Sequence, residues 1–257
     1  MALAVISFVA ITVFEFDLQL PLACWLFVFF GTVTGYNFVK YAKIAGLHHR
    51  SLTDSLRSIQ VFSFVCFTGL LLCCFFLSFK TLVITAVFGL LTFFYAVPFL
   101  KKKNLRTFSG FKIIVVALVW AGVTVFVPMV EVNVLLTTAC WLTFFQRFLV
   151  VFVLTLPFEI RDLQYDIAQL KTIPQQIGVK KTKVLGVGLV LVALLLEGFK
   201  STTSLHFLYG FVLLMGIVVT ALLRTQKKQS EYFSSFWVES IPIVGICMLV
   251  LFRHFLP

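Results

Sequence analysis

Glu159, Asp162 and Asp166 stand at i, i+3 and i+7 of a segment that runs from Pro157 to Gly178. On a helix that spacing puts three carboxylates on one face. Left uncompensated they repel one another and hold at least one proton more tightly. A divalent cation removes the repulsion, and hard carboxylate oxygens suit Mg²⁺, which keeps waters and shares its coordination with substrate phosphates. Arg161 and Lys171, in the same segment, are placed to take further phosphate charge. A plainer reading stands beside this one, an acidic helix end neutralised by neighbouring basic side chains.

Other residues with chemical potential carry less. His48 and His49 are adjacent, so they cannot share a helix face, and no third ligand is spaced to join them; with Arg50 they read as surface loop. Cysteines 24, 66, 73, 74, 140 and 247 all fall in apolar runs without metal or redox spacing, and read as small packing residues. Arg147 interrupts an apolar run. An arginine at that depth is costly and faces the bundle interior with a partner, for which Glu239 and Glu131 qualify by type. The expected role is a buried ion pair that holds helices together. An ion-coupled carrier built on Arg147 and Glu239 finds no support in an inverted repeat or in paired Gly/Pro-broken spans.

These residues are positioned by membrane helices. Of 257 residues, 61% are hydrophobic and 12% charged, with a mean hydropathy of +1.07. Soluble domains have roughly 45–50% apolar and 25% charged residues, so a soluble globular protein is excluded. Met1–Phe14 lacks a basic leader region and a cleavage pattern, and reads as a first membrane helix and not a signal peptide. It is short for a bilayer core of about 30 Å, which leaves a truncated start or a helix tucked among others. Leu18–Val39, Ser58–Phe79, Thr81–Leu100, Ile113–Val130 and Ser201–Leu223 are uncharged runs long enough to cross. Val132–Phe158, Val184–Leu196 and Phe233–Phe255 complete a predicted nine-helix, all-α bundle in one integral-membrane domain over residues 1–257. Their continuity excludes an alternating β-barrel.

The net charge of +11 follows the same geometry. With nine spans, Lys40, Lys43, Arg50, Arg57, Lys101–Lys103, Arg106, Lys112, Arg161, Lys171, Lys180, Lys181, Lys183, Arg224, Lys227 and Lys228 fall on one side. Lys80, Lys200 and Arg253 fall on the other. The bias orients the basic loops to the cytoplasm and the C-terminus outside; in a bacterium this would be the inner membrane. It is a topology signal and not the footprint of a nucleic-acid partner. The longer loops, 40–57, 99–112 and 158–183, share the basic side and frame a site that opens there. Phe, at 32 residues, serves lipid contact and packing.

The 159–178 segment resembles the second aspartate-rich motif of the UbiA family of intramembrane prenyltransferases. That motif runs roughly Asp-x-x-Asp-x-x-x-Asp, then Lys/Arg-Thr-hydrophobic-Pro/Ala and Gly. Glu159, Asp162, Asp166, Lys171, Thr172, Pro174 and Gly178 supply it in order. Tyr95-Ala-Val-Pro98 followed by Lys101–Lys103 is similar to the family's tyrosine-bearing helix end, and Gly35-Tyr36-Asn37 falls where its first aspartate-rich motif begins. The resemblance implies an isoprenyl diphosphate donor, a hydrophobic or aromatic acceptor and Mg²⁺. It implies that Glu159, Asp162 and Asp166 bind metal, and that Asp162, Asp166 and Lys171 act in catalysis. Asn37, Lys40, Lys43, Tyr95, Lys101, Arg161 and Lys171 would meet the diphosphate.

The first motif itself departs from the family. Where two aspartate pairs belong, this chain has Asn37-Phe-Val-Lys40-Tyr-Ala-Lys43. A two-metal site of the family's kind cannot be built from these ligands. Lys40 and Lys43, at i, i+3, either replace one metal as point-charge partners for phosphate, or mark a decayed site and follow only the topology rule. Two functions therefore stand open: prenyl transfer, and a catalytically degenerate homologue that binds or carries an isoprenoid or polar lipid.

Overall fold

The computed structural model describes residues 1–41, 54–97, 111–164, 172–200, 204–230 and 232–255. Among them are nine α-helices and no strand: α1 (Ala2–Glu15), α2 (Leu22–Tyr41), α3 (Asp54–Cys74), α4 (Phe79–Ala96), α5 (Phe111–Glu131), α6 (Thr138–Asp162), α7 (Ile173–Gly198), α8 (Leu205–Arg224) and α9 (Glu239–Phe255). A π-helical turn, Phe233–Val238, leads directly into α9. Helices are the form such apolar runs must take, because hydrocarbon offers no partner to an unsatisfied backbone amide. Seven helical segments, all but α1 and α7, are long and apolar enough to cross a membrane.

Charge-to-charge spacing misplaces several helix bounds, most clearly those of α6 and α7. The Val132–Phe158 run becomes α6 only after Asn133 turns the chain at φ 55°, and α6 then continues past Pro157 to Asp162. The Val184–Leu196 run is half of α7, which starts eleven residues earlier and carries Lys180, Lys181 and Lys183 on its first turns. Charges mark where a helix meets polar surroundings, not where its hydrogen bonds stop. Much of the expected 158–183 loop is accordingly helical.

At 14 residues, α1 spans about 21 Å, and the structure tucks it inside the bundle. It packs on α2, α5 and α9, with Ala4, Val5, Phe8, Val9, Ile11 and Thr12 buried. The main core joins α1 to α5 through α9 around Val150, Leu156, Ile160, Phe211, Met215 and Leu249. Helices α2–α4 are more open, and Phe64, Phe75, Phe76 and Phe79 lie at least 70% exposed, as lipid-facing residues do. Between α8 and α9, Gly210 lies under Leu249 and Gly245 under Leu214. A Cβ on Gly245 would sit 2.8 Å from Leu214 Cδ1, so small residues permit the close approach that drives helix pairing in lipid. All six cysteines are free, and Cys24, Cys66, Cys73 and Cys140 are buried, as packing residues should be.

Candidate functional site

The end of α6 meets the ends of α4 and α5 at the basic end of the bundle. Glu159, one turn before the end of α6, has a side chain only 4% exposed, and Lys112 at the start of α5 donates to its Oε1 at 2.6 Å. The Lys112 side chain is one-third exposed. Tyr95, buried in the last turn of α4, and Asp162 both lie within electrostatic reach of this ammonium. Asp162, the last residue of α6, accepts from Nε of Arg161 at 2.8 Å and is ion-paired with its NH2 at 2.8 Å. The Arg161 guanidinium lies over the Phe158 ring, 5.4 Å from its centroid.

Three of the expected site residues, Glu159, Asp162 and Tyr95, are therefore brought around Lys112, with Arg161 beside Asp162. Sequence reading assigned Lys112 to topology alone. Its relation to Glu159, 47 positions away, depends on α5 packing against α6, and no spacing rule reports that. α6 ends at Asp162, so Glu159 and Asp162 are the two carboxylates of the expected face that the structure describes. Asp166 and Lys171 lie outside the described residues, as do Lys43, Lys101, His48, His49 and Arg50.

The last part of the motif has a structural reason. The Thr172 N–H donates to Gln175 Oε1 at 3.0 Å, while the Thr172 carbonyl accepts from the amides of Gln175 and Gln176. Pro174 occupies the first turn of α7, where a missing N–H costs nothing. Gly178 then kinks the helix at φ 79°, ψ 159°, a conformation open to glycine and costly for any residue with a Cβ. Thr172, Pro174 and Gly178 thus set how α7 leaves the site.

Asn37 and Lys40 lie on the last turns of α2, on a cavity of about 300 Å³ between α1, α2 and α3. Val33, Ile59 and Phe62 form its apolar part. Asn37 Nδ2 donates to Ser63 Oγ at 2.7 Å, and Lys40 Nζ lies 5.9 Å from the Tyr36 ring centroid.

A second polar cluster occupies the opposite end. Lys200, with its side chain 2% exposed, donates to Glu15 at 2.6 Å, Glu197 at 2.8 Å and Gln146 at 2.9 Å. Gln146 returns a bond to Glu197, and Thr143 donates to Glu15. Arg147 is also buried, but its expected partners are elsewhere. Glu239 accepts from the Met1 amine, and Glu131 from the Ser78 N–H. The Arg147 guanidinium instead donates to the Phe8 carbonyl at 2.6 Å and to Thr12 Oγ1 at 3.4 Å, above the Phe8 ring. Burial of α1 brings a carbonyl, a hydroxyl and a π-face to Arg147, and places the Glu15 carboxylate within electrostatic reach in place of Glu239 or Glu131.

For a metal, the donor set is divided. The Glu159 carboxylate is already neutralised by an ammonium at 2.6 Å, so it does not fit as a Mg²⁺ ligand. Asp162, also ion-paired, with Arg161, is 27% exposed and is the more accessible of the two, and it fits in donor type. Among the described residues, no three acidic, histidine or cysteine side chains are grouped for a metal.

No family model matches the chain, and no curated protein matches it in sequence. Solved structures do match in fold. A UbiA homologue from Archaeoglobus fulgidus bound to DMAPP and Mg²⁺ superimposes with a TM-score of 0.62 at 12% identity, over 99% of this chain and 97% of that one. A structure of the same homologue bound to GPP and Mg²⁺ gives 0.59 at 12% identity, over 98% and 96%. A structure on the biosynthesis of digeranylgeranylglyceryl phosphate synthase in membranes gives 0.59 at 16% identity, over 97% and 91%. The chain has the polytopic, all-helical UbiA-like fold from end to end.

Proposed function

We propose that this chain is a membrane prenyltransferase, transferring an isoprenyl group from an isoprenyl diphosphate to a hydrophobic or aromatic acceptor. The observation that carries the proposal is the end-to-end likeness in fold to a UbiA homologue solved with DMAPP and Mg²⁺. The acid-rich end of α6 and the 159–178 motif support it. The donor's carbon–oxygen bond would break with its electron pair leaving on pyrophosphate. The allylic cation would then alkylate the acceptor, which gives up a proton.

Stabilising the leaving pyrophosphate is the main electrostatic task. Arg161, Lys40, Lys43, Lys101 and Lys171 are the side chains proposed to meet its charge, with Asn37 and Tyr95 as hydrogen-bonding partners. Asp162 and Asp166 would hold a single Mg²⁺, whose contribution is to neutralise diphosphate charge. The basic loops are proposed to face the cytoplasm, so that a water-soluble diphosphate head enters from that side.

The test is pyrophosphate release from geranyl diphosphate by the purified protein in lipid nanodiscs, with a mixed quinone-precursor and membrane-lipid acceptor pool, with and without Mg²⁺. Acceptor-dependent release is the expected result. Donor binding without release under every acceptor condition would overturn transfer and leave the carrier reading in its place.

A further inference from the structure

We infer that Lys112, anchored by Glu159, is a phosphate-gripping cation of the donor site, and that Glu159 is its positioning residue and not a metal ligand. The inference rests on the prenyl-transfer reading above and assigns one more residue to the same site. Its basis is the contrast in burial across a single contact. Glu159 is 4% exposed and Lys112 33%, with 2.6 Å between oxygen and nitrogen. A carboxylate so desolvated needs a permanent counter-charge, and the ammonium supplies it. The carboxylate also fixes the end of a long, mobile side chain.

An ammonium has three donor hydrogens, and among the described residues Glu159 is its single hydrogen-bond acceptor. The exposed part of Lys112 belongs to the basic end, where Tyr95 and Asp162 lie within its field and Arg161 is bonded to Asp162. A buried glutamate that holds a lysine against phosphate oxygens is an established solution in phosphoryl-transfer enzymes. Here it places a fixed monovalent cation at the position where sequence spacing put a third metal-binding carboxylate. A divalent ion on Glu159 would have to displace this ammonium or lie against it at short range, where like charges repel. Lys40, near the end of α2, likewise stands within the segment where the related motif carries its aspartates.

The experiment measures binding of geranyl diphosphate, and separately of inorganic pyrophosphate, to the full chain in nanodiscs, in EDTA and in Mg²⁺. The unsubstituted protein is expected to bind in EDTA. Lys112→Met should weaken that binding by about 30-fold or more, the loss associated with leaving a partner charge unpaired. Lys112→Arg should keep it within about 5-fold, because charge and donors are retained. Glu159→Gln should leave the increment in affinity on adding Mg²⁺ unchanged. Because Lys112→Met strands a buried carboxylate, Lys112→Met/Glu159→Gln serves as the folded control and should show the same loss.

Lys112→Met binding like the parent would overturn the inference, as would a double variant with parental affinity. Loss of the Mg²⁺ increment in Glu159→Gln would also overturn it, by making Glu159 a metal ligand. In each of these cases parental binding would stand and prenyl transfer with it. Failure of the parent itself to bind either probe would remove both proposals.

Discussion

Removing the Lys200 ammonium should be among the most damaging single changes to this fold. Lys200 bridges Glu15 of α1, Gln146 of α6 and Glu197 of α7 at 2.6–2.9 Å. The three charged side chains are 2%, 9% and 1% exposed. Lys200→Met keeps much of the side-chain length and strands two carboxylates in a space with little water. Breaking one buried pair costs about 3–5 kcal/mol, and sharing one ammonium between two acids argues for the upper part of that range. Thr143 and Gln146 still donate to the acids, which holds the cost within it. At about 2–4 °C per kcal/mol for a chain near this size, the melting temperature should fall by about 6–20 °C. The assay is the fraction of protein surviving heating in detergent, read by size-exclusion chromatography. A triple variant, Lys200→Met with Glu15→Gln and Glu197→Gln, removes the stranded charge and should recover most of the loss. A Lys200→Met protein melting within about 2 °C of the parent would refute the argument. A triple variant no better than the single would show packing, not charge, to be the cause.

Arg147→Lys should destabilise by about 1–3 kcal/mol, because an ammonium cannot both reach Thr12 and stack on Phe8 as the planar fork does; a double-mutant cycle in thermal stability should give no coupling between Arg147 and Glu131. Gly245→Val should lower stability by about 1–3 kcal/mol through overlap with Leu214, while Gly188→Ala, where a Cβ meets nothing within 4 Å, should be near neutral in the same melt. Asp162→Asn and Asp166→Asn should each abolish the Mg²⁺ dependence of geranyl diphosphate binding with the fold intact, measured by titration in nanodiscs. Lys40→Ala should weaken the same binding by about 2–5 kcal/mol if its ammonium meets the diphosphate, and by less than about 1 kcal/mol if it serves topology alone.

Much of the fold was legible because crossing a bilayer imposes a length and a polarity on consecutive residues, and consecutive residues are what a sequence displays. The apolar runs between Leu18 and Leu223 locate most of the helices directly, and the run from Phe233 holds α9. Thr172, Pro174 and Gly178 are legible only as part of a motif, and the structure supplies their reason: a proline is harmless in the first turn of α7, and a kink at positive φ needs glycine. The basic residues that gather near helix ends could be named as a group, since charge collects where helices emerge from lipid.

Pairing could not be read in this way. Both faces of a membrane helix are apolar, so no stripe tells which side meets another helix and which meets lipid. Only the packing of α5 on α6 gives Glu159 to Lys112. Burial of α1 likewise brings Arg147 the Phe8 carbonyl and the Thr12 hydroxyl in place of Glu239 or Glu131. Lys200, a loop charge in the sequence, becomes the centre of a buried network because α1, α6 and α7 end beside one another. The sequence determined which runs become helices and the end of the bundle at which charge gathers, through local free energies of transfer into lipid. The tertiary structure alone decided which charges touch, because contact energies act between residues whose separation along the chain carries no information about their separation in space.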